Sequence, residues 1–142
     1  MRIVPFEPWH LEEMELRDID KISLWCDNRD RGKALSLMGP CFTGIEGERI
    51  VGAAGLILLW PGVAQAWAVF SRSFPGLSAH RAIVKGFAGL IDSCRLHRIQ
   101  AQVLASFEAG HEWVKRLGFE YEGPKKKYGP DRQDYVEYVR LP

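Results

Sequence analysis

Apolar and polar positions alternate over residues 2–6, and Glu7-Pro8 then turns the chain into a short helical stretch, PWHLEEMEL. Residues 19–37 carry a second helical pattern that brings Ile22, Trp25, Cys26 and Leu35 inward, with a break expected at DNRDRG. Gly39-Pro40 ends it. Strands follow over 41–45, 50–60 and 64–70, joined by the EGER and PGV turns. Ile83, Val84, Phe87, Ile91 and Cys94 then recur at helical steps along one stripe. Residues 98–104 (RIQAQVL) alternate as a strand. Ser106 is the expected N-cap of a helix running to Leu117, stopped by Gly118. Two closing strands, 119–122 and 135–141, flank GPKKKYGPDRQD. The order β-α-α-β-β-β-α-β-α-β-β predicts an α+β (mixed-sheet α/β) fold in a single domain over residues 1–142.

Residues 50–70, IVGAAGLILLWPGVAQAWAVF, are long and apolar enough to imitate a membrane span. Trp60-Pro61-Gly62 in the middle instead predicts a turn between two buried strands, and no membrane segment is expected. Nineteen basic residues against eighteen acidic ones give a formal charge of +1, which argues against a non-specific nucleic-acid binder. Cys26, Cys41 and Cys94 are widely spaced and predict reduced thiols of a cytoplasmic protein. His10, His97 and the cysteines do not sit at metal-ligand spacing, so no metal site is expected. Lys125-Lys126-Lys127 reads first as a solvated charge run, with DNA or an acidic partner as the lesser reading.

The stretch FPGLSAHRA hands a strand over to a helix, and a helix start offers free N–H groups and a positive dipole end to an anion. Arg72, His80, Arg81 and Lys85 gather around it in sequence. A cation near a helix N-terminus is disfavoured by roughly 0.3–1 kcal/mol unless an anion is present, so the cluster reads either as a solvated face or as a phosphate site. Ser78 is a possible cap, and Gly76 is suited to an unusual backbone angle. In the preceding strand Gln65 is the only polar side chain before Ser71. Trp60 and Trp67 are candidates for a pocket wall, with core packing as the default.

The element order, ASFEAGHEWVKRLGFEYEG after the fifth strand and DYVEY near the end resemble the GNAT superfamily of N-acetyltransferases. VGAAGLILLWPGVAQAWAVFS is also similar to the GNAT-like internal virion proteins of short-tailed phages and their prophage relatives. The resemblance implies acetyl-CoA in a V-shaped split between the fourth and fifth strands. Its thioester would meet main-chain groups at Val69, Phe70 and Ser71, and its pyrophosphate would sit at Ser78, Ala79, His80 and Arg81. The family's phosphate-loop signature falls on Pro75, Ser78 and His80, and none of the three matches it. The family's pantetheine-contacting asparagine falls on Phe107 and its acid tyrosine on Val114. Within one helical turn His111 is the candidate catalytic residue, with Tyr121, Tyr128, Tyr135 and Tyr138 as further phenols.

Two functions stay open. One is transfer of an acetyl group from acetyl-CoA to an amine acceptor. The other is a non-catalytic phage structural protein that meets other virion proteins and is found in the host cytoplasm or the virion.

Overall fold

In chain order the elements are β1 (Arg2–Pro5), α1 (Trp9–Glu13), α2 (Asp18–Leu24), α3 (Asn28–Met38), β2 (Cys41–Glu46), β3 (Arg49–Trp60), β4 (Val63–Phe70), α4 (Leu77–Cys94), β5 (Arg98–Leu104), α5 (Glu108–Arg116), β6 (Glu120–Lys125) and β7 (Tyr135–Arg140). This is a computed structural model, and it describes residues 1–24, 28–72 and 76–142. Trp25, Cys26, Phe74 and Pro75, and the side chains of Ile22 and Ser78, lie outside the described residues.

The strands form one seven-stranded sheet in the order β1-β2-β3-β4-β5-β7-β6. Every neighbouring pair is antiparallel except β4 and β5. The apolar run that imitates a membrane span is the β3–β4 hairpin, with Gly62 in the turn at φ 86°. Among the described residues no helix is long and apolar enough to cross a membrane.

Alternation along the central strands sends side chains to two cores. On one face Phe42, Leu56, Ile99 and Tyr138 meet Ile83, Phe87 and Ile91 of α4 and Val114 of α5. Each such aliphatic or aromatic side chain contributes about 1.5–3 kcal/mol when fully removed from water. Val84 faces solvent, so the α4 stripe is narrower than its sequence spacing predicts. On the other face Val69 and Ala53 pack under Leu11, Met14 and Leu35.

The expected helix over 19–37 is two helices, α2 and α3. Most of DNRDRG lies inside α3 rather than forming the break. Gly32 explains why: a Cβ there would stand 3.0 Å from the Pro8 carbonyl oxygen, so glycine lets α3 press against the start of α1. At the other end, β6 starts one residue later than expected and runs on to Lys125, because the Phe119 N–H donates to the Val114 carbonyl of α5 (3.1 Å) and Gly123–Lys125 keep pairing with β7.

Candidate functional site

β4 and β5 pair in parallel at Val63–Arg98, Ala64–Ile99 and Gln65–Gln100, and there the register ends. β4 stays paired with β3 as far as Phe70, and β5 stays paired with β7 as far as Leu104. The sheet therefore opens into a split between residues 66–70 and 101–104. Main-chain direction follows from alternation. Arg98 N–H donates to the Gly62 carbonyl (3.1 Å), and Arg17 N–H donates to the Phe70 carbonyl (3.5 Å). Even-numbered residues of β4 thus face the split, and past the last pair that edge belongs to Ala68.

The three expected contact residues sit differently. Val69 lies opposite Ala53, and Ser71 N–H donates to the Val51 carbonyl (3.0 Å), so both turn toward β3. Phe70 faces the split, but residues from before and within α2 cover it. Arg17 N–H reaches its carbonyl, and its main chain supports the Asp20 carboxylate. Leu16 and Ser71 form an isolated antiparallel bridge beside it.

On the α4–α5 side the split widens into a cavity of about 270 Å³. Phe70, Phe107, Trp113 and Val114 are among its walls. Trp113 stands edge-on to Phe70, with centroids 5.1 Å apart, and its indole N–H donates to His80 Nδ1 (2.9 Å). His80 is thus tied to α5 and is not among the cavity's lining residues. The Arg17 guanidinium lies 5.1 Å from the Phe70 ring centroid and 5.8 Å from that of Phe107. Arg17 Nε also donates to Asp20 Oδ2 (2.6 Å). Asp20 is only 4% exposed, and this burial pushes its carboxyl above the ordinary range, against the opposing pull of Arg17 and the Phe70 main chain.

At the start of α4 the cap is Gly76, at φ 70°, and Ser78 is a helical residue rather than the cap. Glycine adopts this angle without strain. Among the described residues a Cβ at Gly76 would meet nothing within 4 Å. The first bond of the helix runs from His80 N–H to the Gly76 carbonyl (3.0 Å), which leaves the amides of Leu77, Ser78 and Ala79 as helix-start donors. Ala79 is fully buried, whereas Arg81 and Lys85 are exposed. Arg72 does not join them. Its Nε donates to the Leu16 carbonyl (3.2 Å) and its Nη2 pairs with Asp18 (3.2 Å).

α5 begins at Glu108 with Phe107 in the cap position, one residue later than the Ser106 cap expected. Phe107 lines the cavity; His111 does not. His111 Nε2 lies 2.9 Å from the Ala105 carbonyl, an acceptor only, so the ring proton of the neutral imidazole is on Nε2. Nδ1 then accepts from the Tyr138 hydroxyl at 2.8 Å. Burial pushes the Tyr138 phenol up, which keeps it a donor at neutral pH. Both nitrogens of His111 are used in joining α5 to the residue that follows β5 and to β7.

The opposite face of the split opens into a second cavity of about 660 Å³, walled by Leu35, Ile57, Gln65, Trp67, Tyr128 and Tyr135 among others. Trp60 is not there; it stands exposed at the hairpin turn. Ala66, Trp67, Ala68 and Gln102 line both cavities, so the two meet at the split. Next to Gln102 is a buried carboxylate that sequence reading missed. Glu137 accepts from Gln102 Nε2 (2.9 Å) and pairs with Lys125 Nζ (2.9 Å). Lys125 also lies 4.8 Å over the Tyr128 ring, and Tyr128 packs edge-on to Tyr135. The first lysine of the expected solvated run is therefore paired, and it braces Tyr128 from outside the cavity. Among the described residues no group of three or more side chains could hold a metal ion.

No family model and no curated protein matches the sequence. Solved structures do match the fold. The ribosomal-protein-alanine N-acetyltransferase of Brucella melitensis is 17% identical, covers 100% of both chains and superposes with a TM-score of 0.77. A GNAT-family acetyltransferase from Bacillus anthracis is 19% identical over 99% of this chain and 95% of its own, with a TM-score of 0.75. The Salmonella typhimurium protein yncA, solved with its cofactor acetyl-CoA, is 14% identical over 99% of this chain and 92% of its own, with a TM-score of 0.77. At such identities the likeness speaks for architecture, and the architecture is that of the GNAT N-acetyltransferases.

Proposed function

We propose that this protein is an acetyl-CoA-dependent N-acyltransferase acting on a small amine. One observation carries the reading: β4 and β5 part after three pairs, and cavities on the two faces of the sheet meet at the gap. That gives two reactants separate entrances to one point, which is what holding an acyl donor against a nucleophile requires. Bound acetyl-CoA would supply an activated acyl group on a thiol leaving group.

The residues present fit that cofactor at three places. The amides of Leu77, Ser78 and Ala79, with Arg81 and Lys85 nearby, suit a pyrophosphate. The Ala68 N–H, aimed into the split, suits a carbonyl oxygen that gains negative charge. Phe107 and Trp113 offer apolar walls to the arm between them. The fit is poorer at Phe70, whose edge Arg17 and Asp20 occupy, and at His80, where a small residue would let phosphate come closer.

Those two departures favour a second reading, a protein that keeps the fold without the chemistry, such as a structural component of a phage particle. A thermal-shift titration with acetyl-CoA separates the two. Saturation to about 100 times Kd adds about 2.7 kcal/mol and should raise Tm by several degrees. Arg81→Ala with Lys85→Ala should weaken binding about 5- to 20-fold, more at low salt. No shift at millimolar acetyl-CoA would replace the enzyme reading with the structural one.

A further inference from the structure

Two residues that line the cavity on the α3 face of the split each carry a buried hydrogen-bond donor without an acceptor. Arg31 Nε and Trp67 Nε1 are shielded from solvent, and neither has a partner among the described residues. Both residues line this one cavity of about 660 Å³, well within the range of small-molecule sites. Buried polar groups are nearly always paired, so two unmet donors in the wall of one cavity call for an acceptor that reaches them from it.

The donors define what that is. Indole N–H and guanidinium N–H can only donate, so the ligand must accept. Arg31 carries a permanent positive charge, so the accepting group is anionic. Its Nε–H and the adjacent Nη–H form a planar fork whose spacing matches the two oxygens of a carboxylate. A phosphate dianion would bring a second negative charge to a cavity whose only cationic residue among those described is Arg31. Nearby, the Glu137 carboxylate is already neutralised by Lys125. The remaining walls, Leu35, Ile57, Tyr128 and Tyr135, are aliphatic and aromatic, and they suit an uncharged apolar or planar side chain. The other end of the cavity is the split itself, at Ala68 and Gln102.

We infer that the acetyl acceptor is a free amino acid, its carboxylate held by Arg31 and the Trp67 indole N–H and its amine placed at the split beside Ala68. The transfer rests on the N-acyltransferase reading above; the carboxylate site does not. The reaction forms the N–C bond of an N-acetyl amino acid and breaks the C–S bond of acetyl-CoA. Of the two protons the ammonium loses, one passes to solvent and one ends on the thiol of free coenzyme A.

The test is isothermal titration of the full chain, without acetyl-CoA, with each common L-amino acid. The tightest binder is then compared with its carboxamide and its decarboxylated amine. The amino acid should bind roughly 10- to 100-fold more tightly than either analogue. Arg31→Gln and Trp67→Phe, checked for an unchanged melting temperature, should each reduce that preference. Amide and acid binding alike, or no amino acid binding at millimolar concentration, would overturn the carboxylate site. Acetyl transfer to the amino acid, followed by thiol release, completes the proposal. Arg31-dependent binding without transfer overturns the enzyme reading and leaves the site standing. Equal transfer to amines lacking a carboxylate overturns the site and leaves the enzyme reading.

Discussion

Removing the Tyr138 hydroxyl separates a structural His111 from a catalytic one. In Tyr138→Phe the ring stays in its place in the core, 3% exposed, and only the oxygen is lost. His111 Nε2–H still needs the Ala105 carbonyl, so the tautomer is held and Nδ1 remains an acceptor with no donor at 2.8 Å. A buried acceptor stranded in this way costs about 1–3 kcal/mol. For a chain of 142 residues that is a fall in Tm of roughly 4–10 °C. His111→Leu strands two partners, the Tyr138 hydroxyl and the Ala105 carbonyl, and should cost at least as much. The double variant should cost less than the sum, by about 1–2 kcal/mol, because the His111–Tyr138 bond is counted twice in the single variants. Calorimetry measures the stabilities, and titration with acetyl-CoA at a temperature where each variant is folded measures the site. Since neither residue lines the cavity, affinity should stay within about twofold. Unchanged Tm with a tenfold loss of affinity, or strict additivity, would refute the structural assignment.

Gly110→Ala puts a Cβ 2.5 Å from Phe107 Cδ2 and 2.9 Å from Val103 Cγ1, so Phe107 must shift where it lines the cavity. Overpacking of about 1–3 kcal/mol should outweigh up to about 1 kcal/mol of helix propensity, lowering Tm by a few degrees and weakening acetyl-CoA binding. Asp20 has a folded pKa raised by burial, so its ionisation opposes folding above that pKa, and the cost disappears as pH falls below the unfolded value. The stability of Asp20→Asn relative to wild type should therefore improve as pH rises from about 4, levelling off once the raised folded pKa is passed; a flat or falling difference in urea titrations would contradict this. Burial pushes the Cys41 thiol up to about 11, which leaves about one thiolate in a thousand at pH 8. Iodoacetamide at that pH should spare Cys41 in the folded protein and label it in guanidinium, as read by peptide mass spectrometry.

Local rules predict the elements whose signals are local. Trp60-Pro61-Gly62 marks the hairpin that divides an apparent membrane span, RIQAQVL alternates over the same residues that form β5, and Gly118 stops α5 at φ 90°. Where they fail, contacts distant in sequence decide. Gly32 suggests a break only to a reader who does not know that Pro8 will lie against it. Lys125 belongs to a basic run until Glu137, twelve residues on, comes within 2.9 Å. The pairing of His111 with Tyr138 spans 27 residues, and no periodicity announces it. The site follows the same division. An anion-receptive helix start is written in the strand-to-helix junction, whereas Arg31 on α3 and Trp67 on β4 line one cavity only through packing distant in sequence.

The departure of β4 from β5 also has a physical consequence at Phe70. Separated strands leave main-chain donors and acceptors without a ladder, and in a buried place these must be met. This chain meets them from within: Asp20 and Arg17 take the Phe70 edge, and Arg17 spreads over the Phe70 and Phe107 rings. A ligand arm that paired with Phe70 would have to displace a buried carboxylate from its donors, a loss of about 1.5–3 kcal/mol for a charged hydrogen bond. At Ala68 no such displacement is needed. The energetically open course through the split is therefore the deeper one, past Phe107 and Trp113 to the point where both cavities meet. It avoids Phe70 and leaves the Arg17–Asp20 pair closed behind whatever binds.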